Sequence, residues 1–193
     1  MRVTSLLILA ALVVSACGGA GDRVVRPATP SPTATPRPTT GGAATSAATP
    51  ASGPATTAVV ELEKGGSFTI ALRPDKAPKT VERFVTKARE GFYNGLKFHR
   101  VEDWVAQGGD PLGTGTGGGR VPSEYNDLPF ALGAVGIARG QDAAFNNDSQ
   151  WFVVKKDASW LDKQYTNFGM VTSGMDVVQK VAIGDKIKTI RVQ

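Results

Sequence analysis

The sequence has few of the residues that bind metals or form cross-links. It contains one cysteine, Cys17, and one histidine, His99, among 193 residues. A single cysteine excludes an intrachain disulfide, and one Cys with one His cannot supply the ligands of a zinc site. A metal site made of carboxylates alone remains open on these counts, but no segment has the ligand spacing of a calcium-binding loop. We therefore expect no metal and no cofactor, and a fold that is stabilised by its hydrophobic core alone.

The sequence also lacks a concentration of charge of one sign. Lys and Arg number 22 against 17 Asp and Glu, which gives a formal net charge of +5. From Ala58 to the C-terminus there are 18 basic and 16 acidic residues, a net charge of only +2. The basic residues form no stripe with interleaved aromatic side chains, which is the usual pattern of a nucleic-acid surface. We expect no nucleic-acid partner.

No apolar run is long enough to span a bilayer. The run from Leu6 to Val14 has nine residues, whereas a spanning helix needs about 20. Arg2 precedes it, and small residues follow it, which is the order of a secretory signal.

Val14-Ser15-Ala16-Cys17 resembles a bacterial lipobox, in which cleavage before the cysteine leaves a thiol that carries the lipid. The alternative is an ordinary signal peptide with a cysteine near its cleavage site. We predict a lipoprotein signal peptide at residues 1–16 and lipidation of Cys17. The protein is then exported and lipid-anchored to the bacterial membrane on its extracytoplasmic side.

Aromatic residues are absent from Gly18 to Thr57, a segment that consists mainly of Thr, Ala, Pro, Gly and Ser and contains seven prolines. Such a composition cannot bury enough apolar surface to offset the entropy of ordering the chain. We predict that residues 17–57 are the lipidated Cys17 and a disordered tether. Proline-rich chains extend by about 3.1 Å per residue, so the tether could hold a domain up to roughly 120 Å from the lipid.

The rest of the chain alternates between short β-type segments and two helical segments. Helical spacing of apolar residues indicates one helix from Pro78 to Gly91 and a second from Ser173, which is expected to cap it, to Gly184. Many short strands with one helix near each end predict a mainly β fold, an antiparallel barrel with its ends plugged by helices. The predicted strands are Val59–Leu62, Ser67–Leu72, Lys97–Val101, Trp104–Gln107, Ala134–Ile137, Trp151–Val154, Phe168–Val171 and Ile187–Val192.

Several blocks in this part of the chain occur together in one known family. They are Gly91-Phe92-Tyr93-Asn94-Gly95-Leu96-Lys97-Phe98-His99-Arg100, Gln107-Gly108-Gly109-Asp110, Gly136-Ile137-Ala138-Arg139, Ser149-Gln150-Trp151-Phe152, Trp160-Leu161-Asp162 and Phe168-Gly169-Met170-Val171. In this order and at approximately this spacing, they resemble the cyclophilins, which are peptidyl-prolyl cis/trans isomerases. The resemblance extends over residues 58–193 and identifies a cyclophilin-like isomerase domain in a bacterial lipoprotein.

The resemblance implies a closed eight-stranded antiparallel barrel with two capping α-helices and a substrate groove on its outer face. Arg100 takes the position of the catalytic arginine. The resemblance also implies a proline pocket formed by Trp104, Val105, Phe152 and Leu161. Gln107 and Gln150 would fix the peptide backbone. Ala138 and Arg139 would line the strand beside the substrate, and Trp160 and Tyr165 would form the far wall. The implied partners are proline-containing polypeptides, and Trp160 also implies binding of the cyclic peptide cyclosporin. We expect a monomer.

The chain departs from the family pattern at two places. The segment between Arg100 and Gln107 is one residue shorter than usual, which leaves the alignment of Trp104 and Val105 open by one position. Tyr165 stands where many members have histidine. We expect the second change to alter substrate preference without abolishing activity.

The implied reaction suits a chain with so few nucleophiles and metal ligands. Rotation about an X-Pro amide makes and breaks no covalent bond, and amide resonance sets its barrier near 18 to 20 kcal/mol. The nitrogen of the twisted amide can accept a hydrogen bond, so a permanently charged donor such as Arg100 stabilises the transition state more than either ground state. We predict isomerisation of X-Pro bonds in exported or envelope proteins, which aids their folding. The alternative is a non-catalytic module that binds proline-containing segments of envelope proteins.

Two neighbouring residues have structural interpretations when they are considered without the family. Strand alternation points His99 to the face opposite Arg100, so we expect it to be buried and hydrogen-bonded. We expect no catalytic role for His99, because a lone imidazole has no acid or nucleophile partner. Arg100 alone would be interpreted as a surface ion-pair residue, with Glu102 as its partner on the same strand face.

The loops carry further polar residues that could be mistaken for sites. The segment Gly113 to Gly119 lacks the Lys-Ser/Thr of a phosphate-binding loop and is predicted to be a flexible loop that borders the groove. Glu124 with Asp127, or Asp110 with either, could form a carboxylate pair of the glycosidase type, but nothing in the spacing fixes their separation. We interpret them as loop charges.

Membrane attachment should depend on Cys17 alone, because nothing after residue 17 is a candidate membrane span. We expect Cys17→Ala to move the exported protein from the membrane fraction to the soluble fraction. Fractionation at high salt measures this. If the variant still sediments with membranes, the lipid is not the anchor.

Overall fold

The structure is a computed structural model that describes residues 56–193. The predicted signal peptide, Cys17 and the tether up to residue 55 lie outside the described residues. Within the described part, no helix combines the length and the apolar character needed to cross a membrane.

The described part of the chain contains ten β-strands, two α-helices and one short 3-10 helix. The strands are β1 (Thr57–Leu62), β2 (Ser67–Leu72), β3 (Arg100–Val101), β4 (Val105–Gly108), β5 (Arg120–Pro122), β6 (Ala134–Ile137), β7 (Phe145–Asn147), β8 (Trp151–Val154), β9 (Asn167–Ser173) and β10 (Ile187–Val192). The helices are α1 (Pro78–Arg89), α2 (Met175–Gln179) and the 3-10 helix (Ser159–Leu161).

Eight strands form one antiparallel sheet in the order β10-β1-β2-β9-β6-β8-β4-β3. The sheet curls until its edges meet, because Lys97 before β3 forms an isolated bridge with Lys186 before β10. Beside this bridge, the Phe98 N–H donates to the Asp185 carbonyl at 2.8 Å. Helix α1 packs against β10 and α2 packs against β2. The prediction of a mainly β, eight-stranded antiparallel fold with two helices is confirmed, and an isolated bridge forms the seam.

Aromatic side chains from separate elements fill the interior of the curled sheet. Trp151 of β8 is fully buried at their centre. The ring of Phe84 from α1 meets it edge-on, with centroids 5.9 Å apart and an interplanar angle of 88°, and Phe98 meets it at 5.9 Å and 80°. Edge-to-face pairs of this kind stabilise a core by about 0.5 to 1.5 kcal/mol beyond the area they bury.

Strand β8 is buried on both faces, which explains its unbroken apolar sequence. Trp151 and Val153 belong to the main core inside the sheet. Phe152 and Val154 belong to a second apolar cluster, which also includes Val105, Phe130, Ala134, Ala158 and Leu161. Because successive side chains point to opposite faces of a strand, the second cluster lies on the outer face. That outer cluster is the base of the candidate site.

The start of α2 differs from the sequence prediction. Ser173 is expected to cap a helix, but it is the last residue of β9 and pairs with Thr69, and α2 ends before Gly184 at Gln179. Gly174 makes the turn with a φ of 77°, and a Cβ at this position would lie 2.3 Å from the Ser67 carbonyl oxygen. Strand pairing therefore outweighs the capping preference of the serine, and a glycine is required beside it.

Helix α1 is capped by a residue that is distant in sequence. Ala77 at its N-cap position offers no side-chain hydrogen bond. Instead, the Glu124 carboxylate accepts hydrogen bonds from the N–H groups of Lys79 at 3.0 Å and Thr80 at 2.8 Å, and from the Thr80 hydroxyl at 2.8 Å. A negative charge at this end of a helix is also favoured by the helix dipole. Glu124 therefore has a more specific role than the loop charge expected from the sequence.

We expect Glu124→Ala to lower the free energy of unfolding by about 1 to 2 kcal/mol, because two helix N–H groups and a hydroxyl lose their acceptor. Urea or thermal unfolding of the full chain measures this. Glu82→Ala changes an exposed acid of the same helix and is the matched control, with an expected change below about 0.5 kcal/mol. Equal losses in the two variants would rule out the capping role.

Candidate active site

A cavity of about 360 Å³ opens on the outer face of the sheet, over β3, β4, β8 and the segment that follows β6. It contains all the site residues that the sequence implied except Gln150 and Trp160. Its lining residues are His99, Arg100, Trp104, Val105, Gln107, Thr114, Gly115, Ala138, Arg139, Phe152, Leu161 and Tyr165.

The floor of the cavity is apolar and its central ring is held in place. Phe152 is 4% exposed and stacks on Phe130, with centroids 5.8 Å apart and 21° between the planes. Tyr165 meets the Phe152 ring edge-on at 6.1 Å. Beneath the ring lies Gly136 of β6, where a Cβ would be 2.3 Å from Phe152 Cζ. A glycine at this position therefore lets the ring lie against the strand, and the floor is formed before any ligand arrives.

Two glutamines connect the floor to the glycine-rich segment. The Gln107 side-chain amide donates to Gln150 Oε1 at 3.0 Å, and the Gln150 amide donates to the Gly117 carbonyl at 2.8 Å. Gln107 lines the cavity, but Gln150 is only 2% exposed and lies behind it. The structure thus does not bring Gln150 to the cavity surface, because its polar atoms bond to Gln107 and to backbone. From this position Gln150 fixes the orientation of Gln107.

Arg100 lies at the rim of the cavity and opposite Gln107 in the β3–β4 pairing. Its Nε donates to Glu102 Oε1 at 2.7 Å, and its guanidinium carbon lies 5.4 Å from the centroid of the Trp104 ring. The ion pair expected from the shared strand face is therefore present. Arg100 is at once a lining residue of the cavity and the partner of Glu102.

His99 also lines the cavity, which the sequence interpretation did not anticipate. The expected hydrogen bonds are absent, since neither ring nitrogen has a partner among residues 56–193. Burial lowers the pKa of His99, and the nearby charge of Asp110 opposes this shift without reversing it. Strand β3 begins only at Arg100, so strict alternation of faces does not extend to His99. The His99 imidazole therefore lies beside Arg100 in the cavity wall.

Asp110 holds the glycine-rich segment against the cavity. Its carboxylate is 1% exposed and accepts hydrogen bonds from the N–H groups of Leu112 at 3.0 Å, Thr114 at 2.7 Å and Gly115. Burial raises the pKa of Asp110, but these three hydrogen bonds and the influence of His99 together bring it below its ordinary value. Thr114 and Gly115 then form part of the wall, as expected for a segment that borders the groove.

The far side of the cavity carries aromatic rings and a second arginine. The Arg139 guanidinium lies 4.7 Å from the Tyr165 ring centroid, and its Nε donates to the Gln164 carbonyl at 3.0 Å. Trp160 is 55% exposed and meets Trp104 edge-on at 5.5 Å. Trp160 therefore supports the wall from outside the cavity. Within the described residues, no group of three or more His, Cys, Asp or Glu side chains is placed to hold a metal ion.

The arrangement combines a fixed apolar pocket, an amide group and a permanent charge. A small ring can occupy the pocket over Phe152 while Gln107 binds a neighbouring backbone group. A guanidinium at the edge of such a pocket stabilises an acceptor that develops there, because the pocket excludes water on one side.

Comparison with known proteins agrees with this geometry. A family model described as cyclophilin type peptidyl-prolyl cis-trans isomerase/CLD matches residues 57–192. A probable peptidyl-prolyl cis-trans isomerase of Brucella suis is 40% identical over an alignment of 151 residues, and the match covers 70% of this chain and 76% of the relative. Peptidyl-prolyl cis-trans isomerase B of Bacillus subtilis is 41% identical over an alignment of 138 residues, and the match covers 68% of this chain and 94% of the relative.

A solved structure has the same fold at lower identity. It is a cyclophilin type peptidyl-prolyl cis-trans isomerase of Cryptosporidium parvum in the presence of the dipeptide Ala-Pro. Its TM-score is 0.65 at 23% identity, and the match covers 71% of this chain and 98% of that one.

The buried carboxylate of Asp110 predicts a pH-dependent stability. Because its pKa is lowered in the folded state, its contribution is present above the pKa of the unfolded chain, about 4, and is lost as the pH falls through the folded value. We expect Asp110→Asn to have a lower free energy of unfolding than the parent at pH 7. The difference between the two proteins should become smaller at pH 3. Urea unfolding at both pH values measures the gap. A gap of constant size would show that the ionised carboxylate is not what holds the segment.

Proposed function

The chain belongs to the cyclophilin type of peptidyl-prolyl cis-trans isomerases, and we propose that its outer cavity isomerises X-Pro bonds of exported or envelope proteins, aiding their folding. The observation that carries the proposal for the site is the presence, in one cavity, of the Arg100 guanidinium at the rim and the Phe152 ring at the floor. Gln107 lies in the same cavity and can bind the peptide backbone.

The proposed role of each group follows from the physics of amide rotation. The proline ring occupies the pocket of Phe152, Leu161 and Val105, and the part of the peptide outside the pocket turns. Gln107 holds the backbone beside the rotating bond. Arg100 donates to the proline nitrogen, which accepts a hydrogen bond only when the amide is twisted, so the contact favours the transition state over both ground states. The apolar floor strengthens this contact because it limits access of water.

The solved cyclophilin in the presence of Ala-Pro supports proline-containing peptides as ligands of the same fold. The predicted lipobox at Cys17 supports substrates on the extracytoplasmic side of the membrane, reached by a monomer on its tether. Trp160, half-exposed beside Trp104, is the group we propose for contact with cyclosporin. We also propose that Tyr165 determines which substrate residues next to the proline the site prefers.

One observation favours the alternative of a non-catalytic module that binds proline-containing segments. Arg100 already donates to Glu102, and an arginine committed to that ion pair would leave the pocket able to bind proline without accelerating its rotation. The two functions differ in what Arg100 contributes. Binding needs the pocket alone, whereas catalysis needs the charge.

We expect Arg100→Ala to lower kcat/KM by about a hundredfold to a thousandfold, which corresponds to the roughly 2.7 to 4 kcal/mol that such a donor supplies. Arg100→Lys should restore little, because an ammonium lacks the planar fork of the guanidinium. Peptide affinity should fall only modestly, since the pocket is unchanged. A proline-isomerisation assay and a peptide titration on the full chain measure the two quantities.

The matched control is Arg73→Ala, because Arg73 forms the same kind of exposed ion pair, with Asp75 two residues further on, and does not line the cavity. Melting temperatures of both variants should stay close to that of the parent. If Arg100→Ala retains activity within about threefold of the parent, less than 1 kcal/mol, Arg100 is not the catalytic donor and the binding module is the better description.

A further inference from the structure

We propose that Glu102 is a positioning residue, which holds the Arg100 guanidinium so that its terminal amines face the substrate. The Glu102 carboxylate bridges two groups: Oε1 accepts from Arg100 Nε at 2.7 Å, and Oε2 accepts from the Trp104 indole N–H at 2.9 Å. The proposal rests on the function proposed above and adds a residue to it.

The tight turn between β3 and β4 creates this arrangement. Glu102 and Val105 exchange backbone hydrogen bonds at 2.8 and 3.4 Å, so only Asp103 and Trp104 lie between the two residues of this bonded pair. Arg100 and Glu102 are two residues apart and therefore share a face. The turn is short enough that the indole of Trp104 folds back to the carboxylate. The short connection thus supplies the partner that orients Arg100.

The turn itself is anchored to the body of the domain. The Lys155 N–H, directly after β8, donates to the Trp104 carbonyl at 2.7 Å. The Trp104 ring also packs against Trp160, with ring centroids 5.5 Å apart. Glu102 therefore extends from a fixed backbone and is restrained at both carboxylate oxygens. An exposed ion pair adds only about 0 to 1 kcal/mol to stability, so its value here lies in geometry.

The ion pair uses the Nε side of the Arg100 guanidinium. Within residues 56–193, the Arg100 side chain donates one hydrogen bond, from Nε, and its two Nη amines donate none. The Trp104 ring, 5.4 Å from the guanidinium carbon, limits the tilt of its plane. A donor held in this way loses little freedom when the amide twists, which is how preorganised groups lower a barrier.

The two hydrogen bonds to the Glu102 carboxylate favour its charged form. The hydrogen bond from Arg100, followed by that from Trp104, lowers the pKa of Glu102 below its ordinary value in spite of some desolvation. A charged acceptor gives a stronger and more directional hydrogen bond than a neutral one. Replacement by a neutral side chain should therefore release Arg100 even when the shape is kept.

The first experiment separates positioning from substrate binding. We expect Glu102→Gln in the full chain to lower the catalysed rate at saturation by about 5- to 20-fold, and Glu102→Leu to lower it further, with the peptide dissociation constant within about twofold of the parent. Exchange NMR on a proline-containing peptide gives both quantities. Asp103→Asn is the matched control, because Asp103 is an exposed acid in the same turn and contacts only Lys156 at 3.5 Å. Its rate should stay within about 1.5-fold of the parent.

The second experiment is a double-mutant cycle with Arg100→Ala. If Glu102 acts through Arg100, Glu102→Gln should change the residual rate of the Arg100→Ala variant by less than about 1.5-fold. An equal loss of rate in the parent and in the Arg100→Ala variant would overturn the proposal, since it would show that Glu102 acts on the substrate or on the fold. A lowered melting temperature of the Glu102→Gln variant would identify an effect on the fold.

A third variant removes the indole donor and keeps an aromatic ring. Trp104→Phe should lower the rate by about two- to fivefold through Glu102, and this loss should also vanish in the Arg100→Ala background. A rate unchanged or raised in Glu102→Gln, together with a large loss in Arg100→Ala, would overturn this proposal alone. An Arg100→Ala variant that keeps its activity would instead overturn the proposed function of the site.

Discussion

The alternation of side chains along β8 links the core of this protein to its site. Trp151 points inward, where it is fully buried among aromatic rings, and the next residue, Phe152, points outward to form the floor of the cavity. A slip of one residue in the register of β8 would exchange these two faces. The pairing of β8 with β4 and β6 places Gln107 and Gly136 opposite Phe152, so the same register that completes the core also aligns the polar and apolar sides of the site.

Buried polar groups then hold the walls around this floor. Gln150 connects Gln107 to the glycine-rich segment. The Asp110 carboxylate accepts hydrogen bonds from three N–H groups of the same segment. Each of these groups would be costly to bury without partners, so their hydrogen bonds keep the segment in one place. Glu102 has the corresponding effect at the exposed rim, where it restrains Arg100. Preorganisation of the site thus depends on residues that a substrate does not need to touch.

The sequence predicted the parts of the structure that repeat a simple pattern. Unbroken apolar runs identified β6 and β8, helical spacing identified α1 from Pro78, and alternation placed Arg100 beside Glu102. The short ribbon of β5 and β7 was missed because three-residue strands with proline and asparagine have no apolar pattern of their own. The capping of α1 by Glu124 joins residues more than forty positions apart. Gln150 lies behind Gln107 because its amide donates to a carbonyl of the glycine-rich segment. Such long-range polar contacts have no periodic signal, so only the folded chain shows them.

The central claim is that a rigid pocket and a restrained arginine lower the barrier to rotation about an X-Pro bond. Exchange NMR between the cis and trans forms of a proline-containing peptide, with a catalytic amount of the full chain, tests it most directly. Without catalysis this exchange takes tens of seconds or longer. We expect it to become faster in proportion to the protein concentration while the resonances of Phe152 and Gln107 shift. Binding that shifts these resonances but leaves the exchange rate at its uncatalysed value would contradict the claim.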